Sequence, residues 1–207
     1  NKLNLDINFT YNKFFKYLFY FYKALPNISR VRSLEFGKEN GRRKIMTKNT
    51  SKIIIAGPCS AESKDQIIST AKSIEKIQDV SFFRAGIWKP RTRPNLFEGI
   101  GEKGLKWLQE VGKITDLKTT TEVAKTTHVE KCLEYNIDAL WIGARTTVSP
   151  FSVQEISEAL RGTKKTILVK NPVNEDLSLW LGALERLDKV GIKNIIAIHR
   201  GFTAPPG

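Results

Sequence analysis

Cationic side chains recur where the apolar runs of this 207-residue chain stop. Arg84 lies inside the run 82–87, and Lys89-Pro90-Arg91-Thr92-Arg93-Pro94 follows it. Gly143-Ala144-Arg145-Thr146-Thr147 closes the run 137–143, Lys170 ends 166–170, and His199-Arg200-Gly201 ends 194–199. Glu122 follows 117–121, and Gly57-Pro58-Cys59-Ser60 follows 53–56. Arginine forks pair with carboxylate or phosphate oxygens two at a time, and lysine adds a compact charge. Five or six such cations around one rim suit a small ligand with several negative groups, either two phosphates or a phosphate and a carboxylate. Cys59, in a loop with Gly and Pro, is a candidate metal ligand or nucleophile. Cys132 sits mid-helix beside Leu133 and reads as a core thiol. His128 on the same helix is expected exposed or capping, and His199 lies within the rim without an assigned role.

The elements that must carry these residues alternate. Between the first two apolar runs, 63–78 places Ile67, Ile68, Ala71, Ile74 and Ile77 at helical spacing, with Ser63 and Gln66 in capping-box form. Further helices are expected at 102–111, at 124–135, from about Ser152 with Glu155 as box partner, and at 177–190 with Asn174 as cap. The strand at 117–121 is unusually polar. Strand, helix, strand, six times over, means a parallel sheet with helices outside it. Strand starts recur about every 28 residues, close to the about 31 of a (β/α)8 barrel. The expected fold is therefore a TIM barrel, C-terminally truncated to about six βα units, with an open doubly wound sheet as the alternative. Gly99-Ile100-Gly101-Glu102-Lys103-Gly104 matches the dinucleotide fingerprint in letters but follows a polar loop instead of a strand, so a helix start that needs small residues is preferred.

Composition divides the chain. Of 34 Lys+Arg and 21 Asp+Glu, residues 1–45 hold ten and three, together with ten of the aromatic residues. Two domains are read: 1–45, a basic aromatic extension, and 46–207, the partial barrel. The extension has three competing readings. It is a signal peptide interrupted by lysines, a real helix with Phe14, Leu18, Phe21 and Leu25 on one stripe, or translated upstream sequence with Met46 as the start. A basic aromatic run also suits stacking on single-stranded nucleic acid, but nothing else in the chain supports that. No long apolar run suggests a membrane span, and two cysteines make no disulfide framework.

The blocks IIIAGPCSAES, FFRAGIWKPRTRPNLFEGIGEKGL, ALWIGARTTVSPFSVQE, LVKNPVN and AIHRGF together resemble the 3-deoxy-D-arabino-heptulosonate 7-phosphate (DAHP) synthases of type I, in the beta branch found fused to chorismate mutase. The resemblance implies a cytoplasmic enzyme, homo-oligomeric at full length, that joins phosphoenolpyruvate to erythrose 4-phosphate at the entry of the shikimate pathway, with neither nucleic acid nor membrane as partner. It implies a divalent metal ion (Mn, Fe, Co or Zn class) with Cys59 as one ligand. It also implies that Arg84, Lys89, Arg145, Lys170 and Arg200 hold phosphoenolpyruvate and that Arg91 and Thr92 grip the phosphate of the aldose. Glu122 would stand near the reacting end, and Lys89, Glu122 and Lys170 would be the catalytic residues. The octulosonate 8-phosphate synthases are similar in fold but lack the Pro-Arg-Thr after the lysine. A non-catalytic binding protein on a truncated barrel is the third reading. The family's Asp-Pro-Ser-His block and its later Glu and Asp ligands have no counterpart here. The chain is therefore expected to be part of a longer protein, inactive and poorly stable alone.

Overall fold

A computed structural model describes residues 32–39, 42–48, 53–91 and 93–201, the first two ranges as the course of two strands. These are β1 (Arg32–Glu39) and β2 (Arg42–Lys48). After them strands and helices alternate: β3 (Ile54–Ala56), α1 (Lys64–Glu75), β4 (Val80–Arg84), α2 (Glu102–Ile114), β5 (Lys118–Val123), α3 (Thr126–Glu134) and β6 (Ala139–Ile142). Then follow α4 (Ala144–Thr147), α5 (Pro150–Ala159), β7 (Thr166–Lys170), α6 (Leu177–Lys189) and β8 (Ile195–Ile198). The sheet order is β2-β1-β8-β7-β6-β5-β4-β3. From β3 to β8 each strand lies beside its successor, in parallel. Strand order never reverses, so this is a partial barrel and not a doubly wound sheet.

Six barrel strands alone would have β3 and β8 as edges; β1 pairs antiparallel with β8, Arg32 opposite Ala197 and Leu34 opposite Ile195, so the edges of the sheet are β2 and β3. The hairpin supplies backbone partners that an open strand otherwise lacks. The boundary read at 45/46 falls inside β2, where Met46 pairs with Glu35. The helical stripe at 14–25 lies outside the described residues.

The strands bury both faces. Phe83, Val123, Leu140, Ile142, Ile167, Val169 and Ile195 pack toward the helices. Phe82, Ala139, Trp141, Leu168 and Ile196 pack together on the concave face, with Ile55 and Ile198 beside them. The alternation follows from the two-residue period of a strand. On the concave face it carries the next residues up, Arg84, Glu122 and Lys170, to the carboxyl ends.

The polar character of β5 has a local explanation. Asp138 accepts from the Thr119 backbone N–H at 2.7 Å and its hydroxyl at 3.0 Å, and Thr121 donates to the Ala85 carbonyl at 2.8 Å. Threonine suits a strand and buries without cost when its hydroxyl is paired. Two caps differ from expectation. Ser149, not Ser152, caps α5, accepting from Ser152 N–H with Pro150 in the first turn. Asp176, not Asn174, caps α6, accepting from Leu179 N–H at 2.9 Å. The Ser63 cap of α1 holds, while Gln66 Oε1 takes the Glu62 N–H in place of Ser63's own.

Candidate functional site

The carboxyl ends of β3 to β8 bring most of the singled-out residues to one mouth. The loop after β3 reaches it because Gly57 adopts φ +144° and passes against the Arg84 backbone, where a Cβ would meet the Arg84 carbonyl. This sets Cys59 beside Lys89, whose Nζ donates to the Cys59 carbonyl at 2.7 Å and lies 3.1 Å from Sγ. Burial raises the Cys59 thiol, but Lys89, Arg84 and Lys170 outweigh it and leave the thiol below its ordinary range.

Trp141 organises the middle of the site. The Arg84 guanidinium lies over its ring at 4.6 Å and the Lys170 ammonium at 5.0 Å. Its Nε1–H donates to Glu122 Oε2 at 3.0 Å. One indole thus contacts two cations through its ring and anchors a carboxylate through its N–H. Register explains the meeting, since Glu122 is the β5 partner of Trp141. Gly143 also has a steric reason, because a Cβ there would collide with the Glu122 carboxylate. Arg84 is only 8% exposed, and burial lowers its pKa against the pull of Cys59 and Glu122. Burial and then Arg84 push Lys170 down to about 8, with Glu122 opposing. A recess of about 220 Å³, counting space open to solvent, is lined by Ile55, Arg84, Trp141, Leu168, Lys170 and Ile198.

The outer members sit beyond the strand ends. Arg145, in the short helix α4, donates from Nη1 to the Pro90 carbonyl at 2.8 Å, which ties α4 to the Lys89 loop. Arg91 is exposed and its Nε donates to the Phe97 carbonyl at 2.7 Å, within its own loop. Thr92 lies outside the described residues. Arg200 is exposed, near enough to Lys170 to depress its protonation. Trp141 was missed as a site residue because ALWI reads as four core residues; its place on the same strand face as the polar ends was the available signal. His128 corrects an expectation of exposure. It is buried and stacked on Trp88, centroids 3.9 Å apart and planes 4° from parallel. Its Nδ1 accepts from the Ala124 N–H at 3.3 Å, just before the N-cap Lys125, so it fixes the chain entering α3 without capping the helix's own N–H groups. Burial, then Lys125, holds its pKa at about 4. Cys132 is a core thiol, pushed up by burial. His199 sits 6.2 Å from Trp180, ring to ring, outside the cationic group.

Among the described residues no three His, Cys, Asp or Glu side chains gather as a metal site requires. The set at Cys59 is cationic, with Lys89, Arg84 and Lys170 around the thiol, and does not by itself fit a divalent ion. No helix among the described residues is long and apolar enough to cross a membrane.

Comparison with known proteins agrees with this geometry. The model of the DAHP synthetase I family matches residues 33–204, thus including β1 and β2. A phospho-2-dehydro-3-deoxyheptonate aldolase of Thermotoga maritima is 33% identical over 149 residues, 72% of this chain and 42% of the relative. A 2-dehydro-3-deoxyphosphooctonate aldolase of Caulobacter vibrioides is 29% identical over 163 residues, 72% of this chain and 52% of the relative. The crystal structure of the Thermotoga maritima DAHP synthase superposes with a TM-score of 0.65 at 27% identity, covering 79% of this chain and 45% of that one. A truncated form of the 3-deoxy-D-arabino-heptulosonate 7-phosphate synthase from the same organism gives 0.61 at 28% identity, covering 75% and 53%. The chain spans about half the length of the curated relatives it matches.

Proposed function

Because the chain belongs to the DAHP synthetase I family, we propose that the complete protein condenses phosphoenolpyruvate with erythrose 4-phosphate and water to give DAHP and inorganic phosphate. The observation that carries this reading is the gathering of Arg84, Lys89 and Lys170 around Trp141, Glu122 and Cys59 at one end of the sheet. Such a set offsets the repulsion between a phosphate and a carboxylate on one three-carbon acid and holds it in one pose. Arg145 and Arg200 complete the grip on phosphoenolpyruvate, while Arg91 and Thr92 take the phosphate of the aldose. The C3 of phosphoenolpyruvate attacks the aldehyde carbon, which forms the new C–C bond. Water then adds to C2, and the C2–O bond breaks to release phosphate. In this reading Lys89 reaches both the acid and the aldehyde oxygen, and its ammonium is the proton donor to the forming alkoxide. Glu122, held by Trp141, faces the positive charge that develops at C2. The metal ion implied by the resemblance has one donor here, Cys59, and no step is assigned to it. The same reading sets the full-length protein in the cytoplasm, as a homo-oligomer, at the entry of aromatic amino acid biosynthesis.

Titration calorimetry of the 207-residue chain with phosphoenolpyruvate tests the grip. Saturable 1:1 binding, weakened at least about tenfold in Lys170→Met, is expected, since a lost charge-assisted contact costs about 1.5–3 kcal/mol. Heats no larger than those of inorganic phosphate would reject the reading. The octulosonate relative makes a five-carbon aldose the competing substrate class. Turnover by the full-length protein with arabinose 5-phosphate and not erythrose 4-phosphate would decide for it.

A further inference from the structure

We propose that Asn171 is a positioning residue that sets Arg200 at a fixed spacing from Lys170, an inference that rests on the function proposed above. Asn171 directly follows Lys170 at the end of β7, and its own N–H donates to the Ile198 carbonyl at 3.0 Å, extending the β7–β8 ladder by one residue. Pro172 then ends the strand because it has no N–H to donate. The Asn171 side chain is 0% exposed. Its Oδ1 accepts from the Arg200 backbone N–H at 2.6 Å, and its Nδ2 donates to the Gly201 carbonyl at 3.0 Å and the Pro172 carbonyl at 2.9 Å. Both amide donors and the acceptor are therefore used, and two of the three bonds span about thirty residues to the turn after β8. Gly201 holds φ +83°, a left-handed turn that the amide pins from inside. Removing the amide would cost the turn both of these side-chain bonds, to the Arg200 N–H and to the Gly201 carbonyl. The arrangement couples two cations through one amide: Lys170 is placed by β7 directly, and Arg200 is placed by the neighbour of Lys170.

A double-mutant cycle on phosphoenolpyruvate affinity tests this, using the 207-residue chain and calorimetry. Asn171→Ala is expected to weaken binding by about tenfold, as a small misplacement of a binding group does. Arg200→Ala is expected to weaken it similarly, and the double variant should bind no worse than Arg200→Ala alone, because Asn171 acts through Arg200. Asn171→Ala combined with Arg145→Ala should instead multiply the two losses. A general loss of structure would give multiplied losses in both pairs, and that result overturns the proposal. Should Asn171→Ala not fold, Asn171→Ser takes its place in the same cycle, and an affinity in Asn171→Ser equal to wild type overturns it equally. The two readings fail differently. If the wild-type chain does not bind phosphoenolpyruvate, the proposed function falls and this inference with it. If it binds and the Asn171–Arg200 pair is additive, only the inference falls.

Discussion

Lys170 carries two opposed demands in one side chain. Burial and the neighbouring Arg84 hold it at about 8, against 10.5 for a free lysine. The unfolded chain therefore keeps a proton that the folded chain releases across that window, so folding stability rises with pH between about 8 and 10.5. Binding of an anion needs the ammonium and falls across the same window. Urea unfolding and phosphoenolpyruvate calorimetry at stepped pH are expected to show these opposite slopes. Lys170→Met should flatten both while raising stability at neutral pH, since it removes a buried charge at little cost in volume. Cys59 poses the reverse case. Lys89, donating at 3.1 Å, is the chief cause that lowers its thiol against the opposing effect of burial. Lys89→Met should therefore raise the thiol pKa and slow alkylation by iodoacetamide at neutral pH. An unchanged pH–rate profile would show that the pair does not form. The cations themselves were legible in the sequence, because they stand within, at the end of, or just after apolar runs. Trp141 and Asn171 were not, because a core tryptophan and a loop asparagine declare their partners only when strand register and the β8 turn are known.

At the level of elements, periodicity located every helix of eight residues or more among the described residues, and all six barrel strands, within a few residues. Caps were less legible, since several polar residues stand near each helix start and only backbone geometry chooses among them. At α5, Pro150 belongs inside the first turn, where its missing N–H is harmless, and this makes Ser149 the cap. Ser149→Ala should cost about 1 kcal/mol of stability, and Asp176→Ala on α6 a similar amount, each read as a lower urea midpoint. Ser152→Ala should cost less than Ser149→Ala, because Ser152 loses a hydroxyl bond to Ser149 and no cap. Equal losses at 149 and 152 would count against this assignment. The polar β5 was hard to read as a strand because Thr119 and Thr121 find their partners in Asp138 and the Ala85 carbonyl, both distant from them in sequence.

For the whole molecule the hairpin 32–48 matters most. Net charge and aromatic content divide the chain near residue 45, yet β2 crosses that point and β1 lies along β8. Removing residues 1–48 would bare the β8 edge, and an open edge invites pairing with another chain. The shortened chain is expected to form larger species than the 207-residue chain in light scattering at equal concentration, and equal size distributions would show that the hairpin does not protect that edge. The 207-residue chain, whose match spans about half the length of its curated relatives, is expected to bind phosphoenolpyruvate without turning it over. Steady phosphate release on adding erythrose 4-phosphate and manganese would contradict this.

Local pattern alone determined the alternation of strands and helices, the parallel sheet, and the set of cations, because these depend on the two-residue and 3.6-residue periods and on which residue follows each run. Only the tertiary structure decided that Arg84 and Lys170 both lie over Trp141, that Asn171 holds the Arg200 turn, that His128 is buried against Trp88, and that a hairpin covers β8. Each of these depends on residues 29 to 165 positions apart becoming neighbours, and register and chain closure, which set such contacts, leave no mark on local sequence spacing.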